Sequence, residues 1–146
     1  MRRYQLIIGI DPGPTPGVVV LWCSGGQLDK VDTFATPQEA LSFVEGSGVR
    51  PWVAVERFIV GRGTARKTRA GSMETITQAE TVREAVAARG WPLQFLPAGS
   101  VKPIVTDARL RRFGVWPFLR GPHQRDAARH AVFMGLKHGA LDPVPV

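Results

Sequence analysis

The sequence predicts one α/β domain over residues 1–146, with a mixed five-stranded sheet and helices on its faces. Three strand-like segments joined by short turns open the chain, which predicts antiparallel neighbours. Helix-like and strand-like segments then alternate, a pattern typical of parallel strands connected by helices. With 146 residues, of which 44% are hydrophobic and 21% charged, the chain can form a core and is not expected to be disordered.

The first three strands are predicted from apolar runs and the turns between them. Residues 5–10 form a buried strand that ends at Asp11-Pro12-Gly13, where proline and glycine favour a turn. A second strand is predicted over 18–23. The short polar stretch 24–26 then turns the chain into a third strand over 27–33, so these strands should pair in antiparallel fashion.

A helix is predicted next, from Thr36 to about Gly46. Thr36 is a suitable N-cap, Pro37 suits the first helical position, and Glu39 can complete a capping box. The remaining predicted elements are a strand over 53–59, a long helix over 72–89, a strand over 93–96, a helix or turn followed by a mobile loop over 100–121, and a last helix over 123–138. Residues 139–146 are expected to form a frayed tail.

Two acidic residues lie where a buried strand ends or should continue. Asp11 follows an apolar strand, and Glu56 interrupts the apolar run that begins at Trp52. A carboxylate in such a place needs a partner or a cation. Alone, Asp11 could simply form a turn and Glu56 could pair with a basic residue.

A third acid, Asp126, lies in the first turn of the last predicted helix, three residues after His123, so both side chains can reach one site. Taken singly, Asp126 could stabilise the helix N-terminus and His123 could be a capping or surface residue. If the fold brings Asp11, Glu56 and Asp126 together, their mutual repulsion favours a bound cation. Oxygen ligands select Mg²⁺ or Mn²⁺, and two such ions can support phosphodiester hydrolysis.

The chain carries a formal net charge of +7, with 19 Lys and Arg against 12 Asp and Glu. This excess suggests a polyanionic partner, although an arginine-rich coding bias would produce the same composition. Eleven of the 19 cations fall in two segments that flank the acids and are candidates for binding nucleic acid: Arg57, Arg62, Arg66, Lys67, Arg69, and Lys102, Arg109, Arg111, Arg112, Arg120, Arg125.

Several motifs in order resemble the RuvC-type Holliday-junction resolvases of the ribonuclease H-like superfamily. They are Gly9-Ile10-Asp11-Pro12-Gly13, Gly17-Val18-Val19-Val20, Val53-Ala54-Val55-Glu56-Arg57-Phe58, Ser100-Val101-Lys102 and His123-Gln124-Arg125-Asp126-Ala127-Ala128. The resemblance extends from about residue 5 to residue 138. It implies a homodimeric endonuclease of DNA recombination and repair that nicks a four-way junction symmetrically with Mg²⁺ or Mn²⁺.

The resemblance also implies roles for five residues. Asp11 would bridge two metal ions, Glu56 would bind one of them and place the water, and Asp126 would complete the cluster. His123 would be a metal ligand or handle a proton, and Lys102 would lie near the scissile phosphate. A second basic residue of the family has no unique match, because Arg109, Arg111 and Arg112 all compete for it. The helix over 72–89 would carry the dimer interface.

Two other functions of similar fold remain open. One is an RNA-processing nuclease of the YqgF type, which is similarly short. The other is a nucleic-acid-binding module without catalysis, which the three intact acids disfavour. The chain is too short for a two-domain actin-like ATPase. With a single cysteine, no apolar run long enough to cross a membrane and no sign of a small-molecule cofactor, a cytoplasmic protein is expected.

Overall fold

A computed structural model describes residues 3–57 and 69–143, with side chains in the second range described from residue 73. The elements in chain order are β1 (Gln5–Asp11), β2 (Gly17–Ser24), β3 (Gln27–Phe34), α1 (Pro37–Ser47), β4 (Pro51–Arg57), α2 (Arg69–Ala88), β5 (Leu93–Pro97), α3 (Ala98–Val101), α4 (Asp107–Arg112), a 3₁₀ turn (Trp116–Phe118) and α5 (Pro122–Lys137).

The five strands form one mixed sheet in the order β3-β2-β1-β4-β5. β1, β2 and β3 pair in antiparallel fashion, and β4 and β5 continue the sheet parallel to β1. The predicted α/β class, the mixed sheet and the antiparallel opening are therefore confirmed. Thr36 caps α1 as predicted, because its hydroxyl accepts from the Glu39 backbone amide, and the Glu39 carboxylate accepts from that hydroxyl.

Alternation along the strands divides the core between the two faces of the sheet. On one face, Leu6, Ile8 and Ile10 of β1 pack under α1 and α2. On the other face, Ile7 of β1 and Ala54 of β4 pack under α5. Since Asp11 and Glu56 continue that second alternation, their side chains project toward α5.

Two expectations for the carboxyl-terminal part were wrong. The segment over 100–121 is not a mobile loop: α3, α4 and the 3₁₀ turn organise it, because Leu110, Val115 and Leu119 are buried in the core. Residues 139–142 are not frayed either. Ala140 and Leu141 are buried, and the Asp142 amide donates to the Gly26 carbonyl in the β2–β3 turn. Residues 144–146, and the end of the strand predicted to reach 59, lie outside the described residues.

Three tryptophans lie at the margins of the core. Trp22, Trp52 and Trp91 are only partly buried and pack against the apolar clusters from outside. The Trp52 ring stacks on His138, with centroids 3.9 Å apart. Cys23 is buried. Within the described residues, no helix is long and apolar enough to cross a membrane.

Candidate metal centre

The carboxylates of Asp11 and Glu56 are neighbours because of the β1–β4 register. Ile10 lies opposite Val55 in this parallel pair, so the next residue of each strand carries an acid at the same edge of the sheet. Both acids face α5, as the alternation of their strands requires. Asp11 is 5% exposed, and Glu56 is half-buried.

Helix α5 brings the third acid to this edge, and glycines in the sheet permit its close approach. A Cβ atom at Gly17 would lie 1.9 Å from the carbonyl oxygen of His123, and one at Gly9 would lie 2.1 Å from that of Ala127. Any larger residue would therefore meet the helix backbone. These two glycines let the first turn of α5 lie directly on β1 and β2.

Asp11, Glu56 and Asp126 form one acidic cluster. Each contributes a carboxylate oxygen, and the three oxygens lie within 4.8 Å of one another. The predicted meeting of the three acids is thus observed. His123 lies beside this cluster, with its Nδ1 atom 3.0 Å from Asp11 Oδ2.

Two cations lie against the Asp126 carboxylate. Lys102 Nζ lies 3.9 Å from Asp126 Oδ1, and Arg129 Nε lies 3.4 Å from the same oxygen. Arg129 also donates to the Val105 carbonyl and pairs with Asp107, so it ties α5 to the start of α4. The Asp126 carboxylate thus lies both against two cations and together with the other two acids.

His130, one turn after Asp126, joins the helix to the sheet below the cluster. It is 1% exposed, with Nδ1 2.8 Å from the Asp126 carbonyl oxygen and Nε2 3.1 Å from that of Leu96 in β5. The structure thus shows His130 as a packing residue. Its two contacts connect the α5 backbone at Asp126 to β5, and so help to fix the distance between Asp126 and the sheet.

Burial and mutual proximity perturb the acids strongly. Burial raises the pKa of Asp11 to about 6, although a hydrogen bond from Glu56 opposes the rise. Burial also raises the pKa of Glu56 to about 8, helped by the hydrogen bond to Asp11 and by the charge of that residue. The two carboxylates therefore hold a proton between them more readily than isolated acids do. A divalent cation can replace that proton.

The three residues fit a divalent ion. Their donors are all carboxylate oxygens from three different elements, which suits Mg²⁺ or Mn²⁺ better than a soft metal. Glu56 and Asp126 are only half-buried, so an ion has a path from solvent. When bound, such an ion can activate water and stabilise a leaving oxygen.

Comparison with solved structures identifies the fold. A structure of Thermus thermophilus RuvC in complex with a Holliday junction substrate superposes with a TM-score of 0.68 over 93% of this chain and 97% of that chain, at 19% identity. A second Thermus thermophilus RuvC structure gives 0.63 over 92% and 97%, at 18% identity. The chain has a RuvC-like fold. No protein-family model matches the sequence, and no curated protein does.

Within this RuvC-like fold, helix α2 holds the turn that follows Asp11. The Gln78 side chain accepts a hydrogen bond from the Gly13 amide at 3.0 Å and donates to the Gly13 carbonyl at 3.3 Å. One side chain thus satisfies both backbone groups of a residue 65 positions away. The turn is fixed from outside the sheet by a helix that carries no acid of the cluster.

The structure places the predicted basic residues unevenly. Lys102 contacts the acidic cluster, Arg109 donates to the Ile104 carbonyl, and Arg57, Arg112 and Arg120 are exposed. Arg111 and Arg125 both lie over the ring of Trp116, 4.1 and 4.6 Å from its centroid. Arg62, Arg66 and Lys67 lie outside the described residues, as does the side chain of Arg69.

Sequence reasoning missed three residues that support the RuvC-like site: Gln78, Arg129 and His130. Helical spacing was a usable signal for the last two, since they lie three and four positions after Asp126. No local signal marks Gln78, because its partner is distant in the chain.

Proposed function

We propose that this protein is a divalent-metal-dependent endonuclease, built as one nuclease domain, that resolves four-way DNA junctions by paired nicking. The observation that carries the proposal is the cluster of Asp11, Glu56 and Asp126, whose carboxylate oxygens lie within 4.8 Å in a RuvC-like fold. The net charge of +7 supports a polyanionic substrate. Junction DNA is the substrate in a neighbour that matches over 93% of this chain.

In this proposal the three acids hold Mg²⁺ or Mn²⁺, with two ions per site. Asp11 is the most buried acid and contacts both Glu56 and His123, which suits it to bridge the ions. His123 is half-exposed beside Asp11, where it can take a proton from water or add a nitrogen ligand. Lys102 is half-exposed beside Asp126, where it can contact the phosphate to be cleaved.

Paired nicking requires two active sites, so the proposed protein acts as a homodimer. Its proposed location is the cytoplasm. Helix α2 is the candidate interface. Its Met73 and Ile76 side chains are 61% and 41% exposed and lie one helical turn apart. Apolar side chains exposed together on one helix are typical of a surface that another protein covers.

The test is a cleavage panel of a four-way junction, a flap, a duplex and a structured RNA, each with Mg²⁺ and with EDTA. Asp11→Asn should lower junction cleavage by about 10³-fold or more, because it removes a ligand on which the metal depends, and it should leave junction binding largely intact. Asp29→Asn, on exposed β3, is the matched control. Undiminished cleavage by Asp11→Asn would refute the proposal, and cleavage restricted to RNA would favour an RNA-processing nuclease.

A further inference from the structure

A pair of arginines held by one tryptophan lies near Asp107, which Arg129 links to Asp126 of the acidic cluster. Arg111 comes from α4, Arg125 from α5, and Trp116 from the 3₁₀ turn between them. The guanidinium carbons of the two arginines lie 4.1 and 4.6 Å from the Trp116 ring centroid. Three elements that are separate in the chain thus bring two cations to one indole ring.

Among the described residues, neither arginine has a carboxylate of its own. The nearest candidate is Asp107, whose carboxylate pairs with Arg129. That hydrogen bond, with the charges of Arg129, Arg111 and Arg125, holds the pKa of Asp107 below its usual range. Three arginines therefore surround one carboxylate, and Arg129 occupies it.

The Nε atom of Arg125 is buried and has no hydrogen-bond partner in the described part of the chain. The ring therefore positions Arg125 where no internal acceptor does. Because Nε is buried, the terminal nitrogens of this half-buried arginine are the donors left for an external oxyanion, and the ring limits the rotamer freedom that is lost when the anion binds.

We propose that Arg111, Trp116 and Arg125, here called the tryptophan clamp, bind a backbone phosphate of the DNA substrate next to the cleavage site. The inference rests on the proposed function and adds a specific interaction to it. Arg129 links Asp126 to Asp107, and the charges of Arg111 and Arg125 act on Asp107, so the clamp lies on the Asp126 side of the acidic cluster. Arginine suits this task because its planar fork binds phosphate oxygens in pairs.

The clamp predicts distinct effects for its charges and its ring. In EDTA, with binding measured from 50 to 200 mM salt, Arg111→Gln/Arg125→Gln should weaken junction binding about tenfold for each phosphate that the protein no longer neutralises, and it should flatten the salt slope by about one per phosphate. Trp116→Leu keeps both charges, so it should weaken binding about two- to fivefold while largely preserving the slope. Trp116→Phe should restore most of the affinity.

The matched control is Arg89→Gln. Arg89 lies over the Trp91 ring at 5.6 Å, but this pair is at the edge where β5 begins, away from the acids. Thermal melts establish that each variant is folded. The clamp is refuted if the double arginine variant binds the junction with the affinity and salt slope of Arg89→Gln, and the role of the ring is refuted if Trp116→Leu binds as wild type.

The outcomes separate this inference from the proposed function. If the wild-type protein binds DNA but does not cleave a junction, the proposed function fails. The salt dependence of DNA binding by the variants still tests whether the clamp binds a phosphate. An effect of the variants on structured RNA without an effect on DNA would overturn the DNA assignment. If the wild-type protein binds no nucleic acid, both proposals fall.

Discussion

Replacing Gly17 with alanine should move the proposed metal ligands apart without altering any of them. The added Cβ would lie 1.9 Å from the His123 carbonyl oxygen and 2.7 Å from the Gln124 amide nitrogen. Both atoms belong to the helix backbone, so no side-chain rotation can relieve the clash. To reach about 3 Å, the first turn of α5 must move by about 1 Å relative to β1, and a misplacement of that size can cost about 100-fold in rate.

The assay is single-turnover cleavage of a four-way junction at saturating protein. Gly17→Ala should cleave about 100-fold more slowly and need more Mg²⁺, because Asp126 and His123 move away from Asp11. Its free energy of unfolding should also be lower by about 1–3 kcal/mol, as expected for overpacking. Binding of Mn²⁺, measured by calorimetry, checks the displacement of the ligands independently of cleavage.

Gly46→Ala is the matched control for this variant. A Cβ at Gly46 in α1 meets nothing within 4 Å, so alanine there should be neutral or stabilising by up to about 1 kcal/mol. If Gly17→Ala cleaves, binds Mn²⁺ and melts like Gly46→Ala, then the close packing of α5 on β2 does not set the geometry of the site.

The raised pKa values of Asp11 and Glu56 predict that the metal-free protein loses stability as pH rises from about 4 to about 8, because the folded state binds more protons than the unfolded state there. Its Tm should be lower at pH 8 than at pH 5, and Mg²⁺ should raise the Tm more at pH 8 than at pH 5. If the pH dependence of Tm is undiminished in Asp11→Asn, groups other than this pair cause it. Gln78→Leu removes both hydrogen bonds to Gly13, so it should lower Tm and raise the Mg²⁺ concentration needed for half-maximal cleavage several-fold relative to the exposed-site control Gln38→Leu. Equal Mg²⁺ requirements in the two glutamine variants would contradict a role for Gln78 at the site.

The parts of the fold that depend on local chemistry were predictable. Apolar runs ending in Asp11-Pro12-Gly13 and at Gly25-Gly26 mark strand ends directly, and Thr36 with Glu39 marks a helix start. The meeting of Asp11 and Glu56 was also predictable. Asp11 ends one apolar strand and Glu56 interrupts another, and a sheet can bring two such positions together at one edge.

The features that depend on tertiary packing were not predictable. Apolar content alone does not reveal that Ala140 and Leu141 are buried, because the cluster they join includes Ile7, Val19 and Leu21 from the opposite end of the chain. Similarly, nothing near Gly17 in the sequence indicates that a helix more than 100 residues later will lie against it. Composition located the cations, but only the fold shows that Arg111 and Arg125 share a ring.

The two hydrogen bonds between Gln78 and Gly13 connect α2 directly to the turn that follows Asp11. The same helix presents Met73 and Ile76 to solvent, so a second copy of the chain packed on them would bear on a helix that is hydrogen-bonded to the turn. If the proposed assembly shifts α2, it would change the free energy of metal binding, and reciprocity would require the metal to change the free energy of assembly by the same amount. The metal concentration that fills half of the sites would then depend on the protein concentration. Likewise, the protein concentration at which half of the chains are paired would depend on the metal concentration.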